Sequence, residues 1–416
     1  MDCDGLVSSA YDSQSFTAET RHMNTLILHL ICYFFRQVRA LVRQCTKVAR
    51  AQAALLYFCG AALLGHSAWA ASSEPRKGCL TECTPRIGIV SAFGAEADLL
   101  VAQTQGRKTY MFNGNRFTTG VLRGNPVVIV LSGVSMINST MVTQMMLDHF
   151  RVQRLVMSGI AGGLNPALHV GDVTVPDHWI MPLEVYWSHN SVPPKPCGDT
   201  LGDMSCLGLK LATHKDAQGA VQPTLPPFEL NTANGKVPTG LFVRENFVMT
   251  AKNSPKGEFV FAYPVDVDML AVARELQPKL SQCGPAAKPD AALDPKLCVR
   301  QMPRLVVGGA GASATVFLAN ADYRKYLFEN LHANTFEMET AALAHVAYAN
   351  GVPYIAFRSL SDLAGAEEFN SDVVALFSSG LAEVNEAAVT LEFLQAWKAR
   401  SDRVGGVHTS AKKVQP

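Results

Sequence analysis

The stretch Phe336-Glu-Met-Glu-Thr-Ala-Ala342, with its continuation Phe357-Arg-Ser-Leu-Ser-Asp-Leu-Ala364, decides the reading of this chain. Ala341 to Asn350 is small and apolar at helical spacing, Gly351-Val-Pro353 breaks it, and Tyr354 to Phe357 reads as a short buried strand. Glu337 and Glu339 fall just before the helix, and Arg358 and Asp362 fall just after the strand. In an open α/β sheet, strand ends and the turns beside them are where ligands bind. The plainer alternative is a helix N-terminus carrying acids that complement its dipole.

Two upstream blocks repeat the pattern. Arg86-Ile-Gly-Ile-Val-Ser-Ala-Phe-Gly-Ala-Glu-Ala-Asp-Leu-Leu100 reads as a buried strand, a turn and a helix start carrying Glu96. Val127-Val-Ile-Val-Leu-Ser-Gly-Val134 reads as a strand, and Asn138 to Phe150 as a helix. Leu155-Val-Met-Ser-Gly-Ile-Ala-Gly-Gly-Leu164 is then a strand ending in a glycine turn, and Val170 to Val175 is a further strand. Strands are expected near 86–92, 126–132, 153–158, 171–176, 303–308 and 353–358, and helices near 95–104, 138–150, 321–331, 338–350 and 371–398. The alternation describes one α/β domain over residues 71–400, with Pro-rich loop insertions at 188–240 and 276–302 and a polar tail over 401–416.

Composition supports a single large core, because 48% of the 416 residues are hydrophobic and only 17% charged. A formal net charge of +1 offers no electrostatic case for nucleic acid as a partner. The N-terminus reads as an address. Arg36, Arg39, Arg43, Lys47 and Arg50 precede an apolar run from Ala51 to Leu64, and Ser67-Ala-Trp-Ala70 ends in a small-residue cleavage pattern. That order spells a secretory signal within residues 1–70, cleaved before Ala71, with the protein secreted or periplasmic and not stably inserted in a membrane afterwards. An uncleaved anchor is the alternative, since no formal charge interrupts Ala51 to Ser73. Six cysteines remain past the leader, and proximity favours the pairs Cys79–Cys83, Cys197–Cys206 and Cys283–Cys298. No metal-ligand spacing accompanies them, and neither a metal nor a cofactor is expected.

Taken together and in this order, the blocks resemble the nucleoside phosphorylase and nucleosidase superfamily. Within it they are most similar to the methylthioadenosine/S-adenosylhomocysteine nucleosidases and their plant storage-protein relatives. The resemblance covers most of 86–187 and 241–396. It implies a three-layer α/β/α sandwich around a twisted mixed sheet, a small-molecule nucleoside as the partner, and a homodimer. Residue by residue, it implies that Asp362, in Ser361-Asp362, protonates the leaving purine and that Glu96 activates water on the far face. It also implies that Glu339 grips the ribose hydroxyls beside Glu337 and Met338, and that Arg358 lies near the nucleophile. Phe317 and Leu318, in Ser313-Ala-Thr-Val-Phe-Leu318, match the pair that meets the base, and Ala161 and Gly162 belong to the glycine turn at the site. Such chemistry needs an acid for the leaving group and a base on the opposite face of the sugar. Each residue has a structural alternative: a first-turn acid for Glu96, a turn cap for Asp362, an ion pair for Glu339 with Arg358, and plain core for Phe317 and Leu318.

The expected function is therefore exported hydrolysis of the N-glycosidic bond of adenosine-type purine nucleosides. Phosphorolysis is the first alternative. Against it, Phe93-Gly-Ala-Glu-Ala97 carries an acid and no arginine where phosphorylases of the superfamily hold phosphate, and Val130 to Ser135 carries no cation. A non-catalytic nucleoside-binding or storage-like protein is the second alternative. It is suggested by Ile160 in Gly159-Ile-Ala-Gly-Gly163, at a position where the nucleosidases place a hydroxyl.

Overall fold

A computed structural model describes residues 79–188, 208–238, 240–285, 295–366 and 378–411. The leader and the expected Cys197–Cys206 pair lie outside the described residues.

The chain builds one twelve-stranded mixed sheet. Its strands are β1 (Glu82–Ser91), β2 (Gln105–Phe112), β3 (Asn115–Leu122), β4 (Asn125–Leu131), β5 (Phe150–Gly163) and β6 (Val173–Val175). They continue with β7 (His178–Ile180), β8 (Ala262–Pro264), β9 (Leu305–Val307), β10 (Ala310–Ser313), β11 (Ala333–Glu337) and β12 (Tyr354–Asp362). The helices are α1 (Gly94–Gln103), α2 (Met136–His149), α3 (Val267–Arg274), α4 (Ala321–Leu331), α5 (Thr340–Asn350) and α6 (Leu381–Ala411). Helices α1, α3 and α6 pack together on one side of the central strands, and α2 and α5 pack on the other. Three layers result, as expected.

Strand β5 organises the site. Parallel pairing to β1 and β12 covers both edges of β5, and α1 and α6 on one face with α2 and α5 on the other cover the rest, which is why Leu155–Gly163 carries no exposed position and reads as a continuous apolar and small-residue run. Its last residues also pair antiparallel with β11, at Gly162 with Phe336 and Gly163 with Thr335. The sheet therefore divides at Gly159–Gly163, and the ends of β1, β11 and β12 converge there. Pairing of β12 with β5 shifts register between Leu360 and Asp362, so Ser361 is an extra residue in the ladder. Such a bulge re-aims side chains, and here the successive residues Ser361 and Asp362 face one cavity.

Several expectations need correction. Helix α5 starts at Thr340 rather than 338, because Glu337 closes strand β11 and Glu339 is the N-cap residue. The segment 105–122, unassigned from sequence, is a β-hairpin whose Asn113-Gly114 turn takes positive φ at both residues. Helix α6 continues through Ala411, past the Arg400 boundary where a polar tail was expected. The described part of the 188–240 insertion is no bare loop: Ala212–Lys215 pairs with Val221–Thr224, and Glu229–Thr232 with Gly235–Pro238. In the 276–302 insertion Cys283 is joined to Cys298, and near the start of the described chain Cys79 is joined to Cys83.

Candidate active site

The convergence of β1, β5, β11 and β12 leaves a cavity of about 160 Å³. Ten of the residues expected at the site line it: Glu96, Ala161, Gly162, Phe317, Leu318, Glu337, Met338, Glu339, Ser361 and Asp362. Arg358 does not. It is fully buried behind the lining, with its Nη1 3.6 Å from Glu96 Oε1. Ala92, Phe93, Val134, Ile160, Val316, Phe336 and Ala364 complete the wall, which is mostly apolar.

Glu96 stands in the first turn of α1 and is almost wholly buried. Its Oε2 accepts the backbone N–H groups of Ala92 at 2.6 Å and Phe93 at 3.2 Å, and its Oε1 accepts Ile160 N–H at 2.8 Å. The Arg358 guanidinium approaches Oε1 at 3.6 Å. Burial raises the Glu96 pKa, against the opposing pull of Arg358 and these three N–H groups. A side chain at position 159 would occupy the same space, since a Cβ there would meet Arg358 Nη1 at 2.3 Å and Glu96 Oε1 at 2.4 Å. Glycine is required at that approach.

Asp362 sits at the other end of the turn. Its Oδ1 accepts Ala364 N–H at 2.7 Å, and its Oδ2 lies 3.0 Å from Ser361 Oγ, which in turn lies 3.2 Å from the Ala161 carbonyl. Burial raises its pKa, and the contacts with Ala364 and Ser361 oppose the rise. A Cβ at Gly162 would meet Asp362 Oδ1 at 2.9 Å. Gly159 and Gly162 thus mark where Glu96 and Asp362 cross β5.

Glu337, Glu339 and Arg358 form the base of the site. Glu337 is spent on structure: it accepts the N–H groups of Glu339 and Thr340 at 3.0 Å and 2.9 Å, the hydroxyls of Thr340 and Ser313, and the guanidinium of Arg358. Arg358 also donates to Thr340 Oγ1 at 2.9 Å, to the Ile160 carbonyl at 3.2 Å and to Glu339 Oε2 at 3.4 Å. Burial disfavours the Arg358 charge, but the surrounding carboxylates outweigh it and raise its pKa. Glu339 keeps more freedom. Apart from Arg358, its carboxylate accepts Ser135 N–H at 2.8 Å, and burial together with the charge of Glu337 pushes its pKa up to about 8. Ser135 holds that N–H in place from a positive φ of 105°. The ion pair of Glu339 with Arg358 is thus present at 3.4 Å, but the closer partner of Arg358 is Glu337.

Phe317 is more than half exposed at the mouth of the cavity, while Leu318 is buried. Sequence reading passed over Phe93, Val134, Val316, Phe336 and Glu386. The first four are apolar residues beside recognised motifs, and only the meeting of separate strands distinguishes them from core. Among the described residues no group of three or more His, Cys, Asp or Glu side chains is placed to hold a metal ion.

The chain belongs to the phosphorylase superfamily, whose family pattern matches residues 86–205 and 217–395. It is 30% identical over 155 residues to the 5′-methylthioadenosine/S-adenosylhomocysteine nucleosidase of Pseudoalteromonas translucida, a match covering 37% of this chain and 63% of that one. It is 24% identical over 286 residues to the nucleosidase of the same name from Bacillus cytotoxicus, covering 68% and 87%. Among solved structures it is similar to the S. pneumoniae nucleosidase of that name with a transition-state inhibitor, at 21% identity and TM-score 0.48, covering 76% of this chain and all of that one. It is also similar to the futalosine hydrolase of Helicobacter pylori, at 18% identity and TM-score 0.46, covering 77% and 98%.

Proposed function

We propose that the protein hydrolyses the N-glycosidic bond of adenosine-type purine nucleosides to free base and sugar. One observation carries the reading: Glu96, Glu339 and Asp362, supplied by three separate elements, face a single, mostly apolar cavity. Such chemistry needs an acid for the leaving base and a base for the attacking water, and the cavity wall offers a carboxyl for each.

Asp362, its pKa raised by burial, holds a proton for N7 of the purine and so makes the base a neutral leaving group. Ionised Glu96, steadied by three N–H groups and Arg358, takes a proton from water as the oxygen attacks the anomeric carbon. Glu339 accepts the ribose hydroxyls. Those donors favour its charged form, which then sits near the cation developing on the sugar. Arg358 is a positioning residue: it orders the carboxylates and touches no substrate.

Hydrolysis is favoured over phosphorolysis because no basic residue among the described residues lines the cavity, and the nearest cation is buried and committed to carboxylates. Ile160 favours a second reading, nucleoside binding without turnover, since its side chain lines the cavity and offers water no hydrogen bond. Purified residues 71–416, given adenosine, inosine, methylthioadenosine and S-adenosylhomocysteine with and without phosphate, should release free base equally in both conditions. Dependence on phosphate indicates phosphorolysis, and binding of adenine without turnover indicates the second reading.

Export is part of the proposal. It is supported by the basic, apolar and Ser67-Ala-Trp-Ala70 order and by the bonded pairs Cys79–Cys83 and Cys283–Cys298. The mature chain should begin at Ala71 by N-terminal sequencing and show no free thiol. A full-length cytoplasmic chain with reactive thiols contradicts export.

A further inference from the structure

Helix α6 carries a carboxyl that the mechanism above does not use. Glu386 is fully buried on the helix side of β5 and does not line the cavity. Its Oε2 hydrogen-bonds Ser158 Oγ, and Ser158 Oγ lies 2.7 Å from Thr390 Oγ1 one turn further along α6. Its Oε1 is buried with no partner at all. Ser158 directly precedes Gly159, whose open side is filled by Glu96 and Arg358, and Ile160, whose N–H holds Glu96 and whose carbonyl holds Arg358. The three-residue segment Ser158–Ile160 is thus fastened on one side by α6 and grips the proposed base on the other.

The charged groups acting on Glu386 are Glu96 on α1, Arg358 on β12 and Glu383 one turn earlier on α6. Arg358 makes its hydrogen bonds to Glu337, Glu339, Thr340 and Ile160 and none to Glu386. A bare buried carboxylate oxygen with no cation in contact is untenable, whereas a neutral acid fits: its hydroxyl donates to Ser158, and Ser158 donates to Thr390. Burial raises the pKa of Glu386 well above that of an ordinary carboxyl, in the same sense.

We propose that Glu386 is a positioning residue for Glu96: as a neutral acid it anchors Ser158 from α6, and so holds the Ile160 N–H on the Glu96 carboxylate. The inference rests on the role given to Glu96 under the proposed function, so its test includes a readout that does not need turnover. Loss of the anchor lets Ile160 N–H drift from Glu96. That contact lowers the Glu96 pKa, so its loss shifts the titration of Glu96 to higher pH.

The experiment compares wild type with Glu386→Gln, Glu386→Leu and Ser158→Ala. Infrared titration, with the Glu96 band assigned by Glu96→Gln, follows each protonation state, and the pH profile of base release is measured in parallel. Near neutral pH wild type should show one protonated carboxyl band more than Glu386→Gln, beyond those of Asp362 and Glu339 that both proteins share. Glutamine, which donates to Ser158 as the neutral acid does, should restore both the Glu96 midpoint and kcat. Glu386→Leu and Ser158→Ala should raise the Glu96 midpoint, move the acid limb of the pH profile upward, and lower kcat by about 10²-fold at little change in KM. If Glu386→Leu does not fold, Ser158→Ala alone decides. Absence of that additional band, or an unmoved Glu96 midpoint in the folded variants, overturns the inference. A wild type without turnover overturns the nucleosidase reading instead and leaves the infrared readout to judge this one.

Discussion

Replacing Asp362 by asparagine isolates the proton it is assigned to donate. In the neutral acid, Oδ2–H donates to Ser361 Oγ, the Ser361 hydroxyl donates to the Ala161 carbonyl, and Oδ1 accepts Ala364 N–H. Asparagine reproduces each of these bonds, with Nδ2–H in place of the hydroxyl, and its volume is the same. Stability should therefore change by no more than about 0.5 kcal/mol, as for substitutions that leave packing and hydrogen bonding intact. The transferable proton alone is lost. General acid catalysis contributes roughly 10²–10⁴ in rate, so kcat should fall by that factor, equivalent to about 3–5 kcal/mol of transition-state stabilisation. Release of adenine from methylthioadenosine, followed by chromatography, reads kcat, and urea unfolding reads stability on the same preparation. Full activity of Asp362→Asn on every adenosine-type substrate refutes the assignment. A loss of activity matched by a loss of several kcal/mol in stability makes Asp362 structural.

Glu96→Gln should behave differently, because an amide cannot accept three N–H groups at the positions the carboxylate occupies. Alongside a kcat loss of roughly 10²–10⁴, it should cost about 1–3 kcal/mol of stability in urea unfolding, the penalty for buried donors left unpaired. Gly159→Ala places a methyl group within 2.4 Å of both Arg358 and Glu96, so it should destabilise the fold by about 1–3 kcal/mol and abolish turnover, whereas alanine at the exposed Gly106 should leave turnover intact. Glu339 has a folded pKa of about 8 against 4.5 for an ordinary glutamate, so the unfolded chain ionises first. Its contribution to stability is fully present below pH 4.5 and is lost as pH rises through about 8. Unfolding free energies measured across that window should decline less in Glu339→Gln than in wild type, and parallel declines count against the shift.

The legible parts of the sequence were those with a local cause. Val127–Val130 and Leu155–Met157 read as strands because burial on both faces demands uninterrupted apolar residues, and they are β4 and part of β5. Glu96, Glu339 and Asp362 stood out as acids at element ends, and they meet at one cavity. The β2–β3 hairpin was missed although Asn113-Gly114 is a strong turn signal, because its strands are polar and largely exposed on β2 and offer little hydrophobic contrast. Strands β7 and β10 have three or four residues each, too few for a period to show. The partition of the acids was illegible for another reason. Nothing local says that Arg358 pairs mainly with Glu337, or that Glu386, some 290 residues from Glu96 in sequence, lies behind the same strand. Those facts come from the register of β12 against β5 and the placement of α6, which only the assembled sheet defines.

The most direct test of the account is the identity of the sugar product. Wild-type protein and methylthioadenosine in phosphate-free buffer should give one free reducing sugar for each adenine released. Adding phosphate should change neither the rate nor the product, and Glu96→Gln should suppress both products together. Formation of a sugar 1-phosphate, or adenine release only when phosphate is present, contradicts water activation by Glu96 and the hydrolytic reading with it.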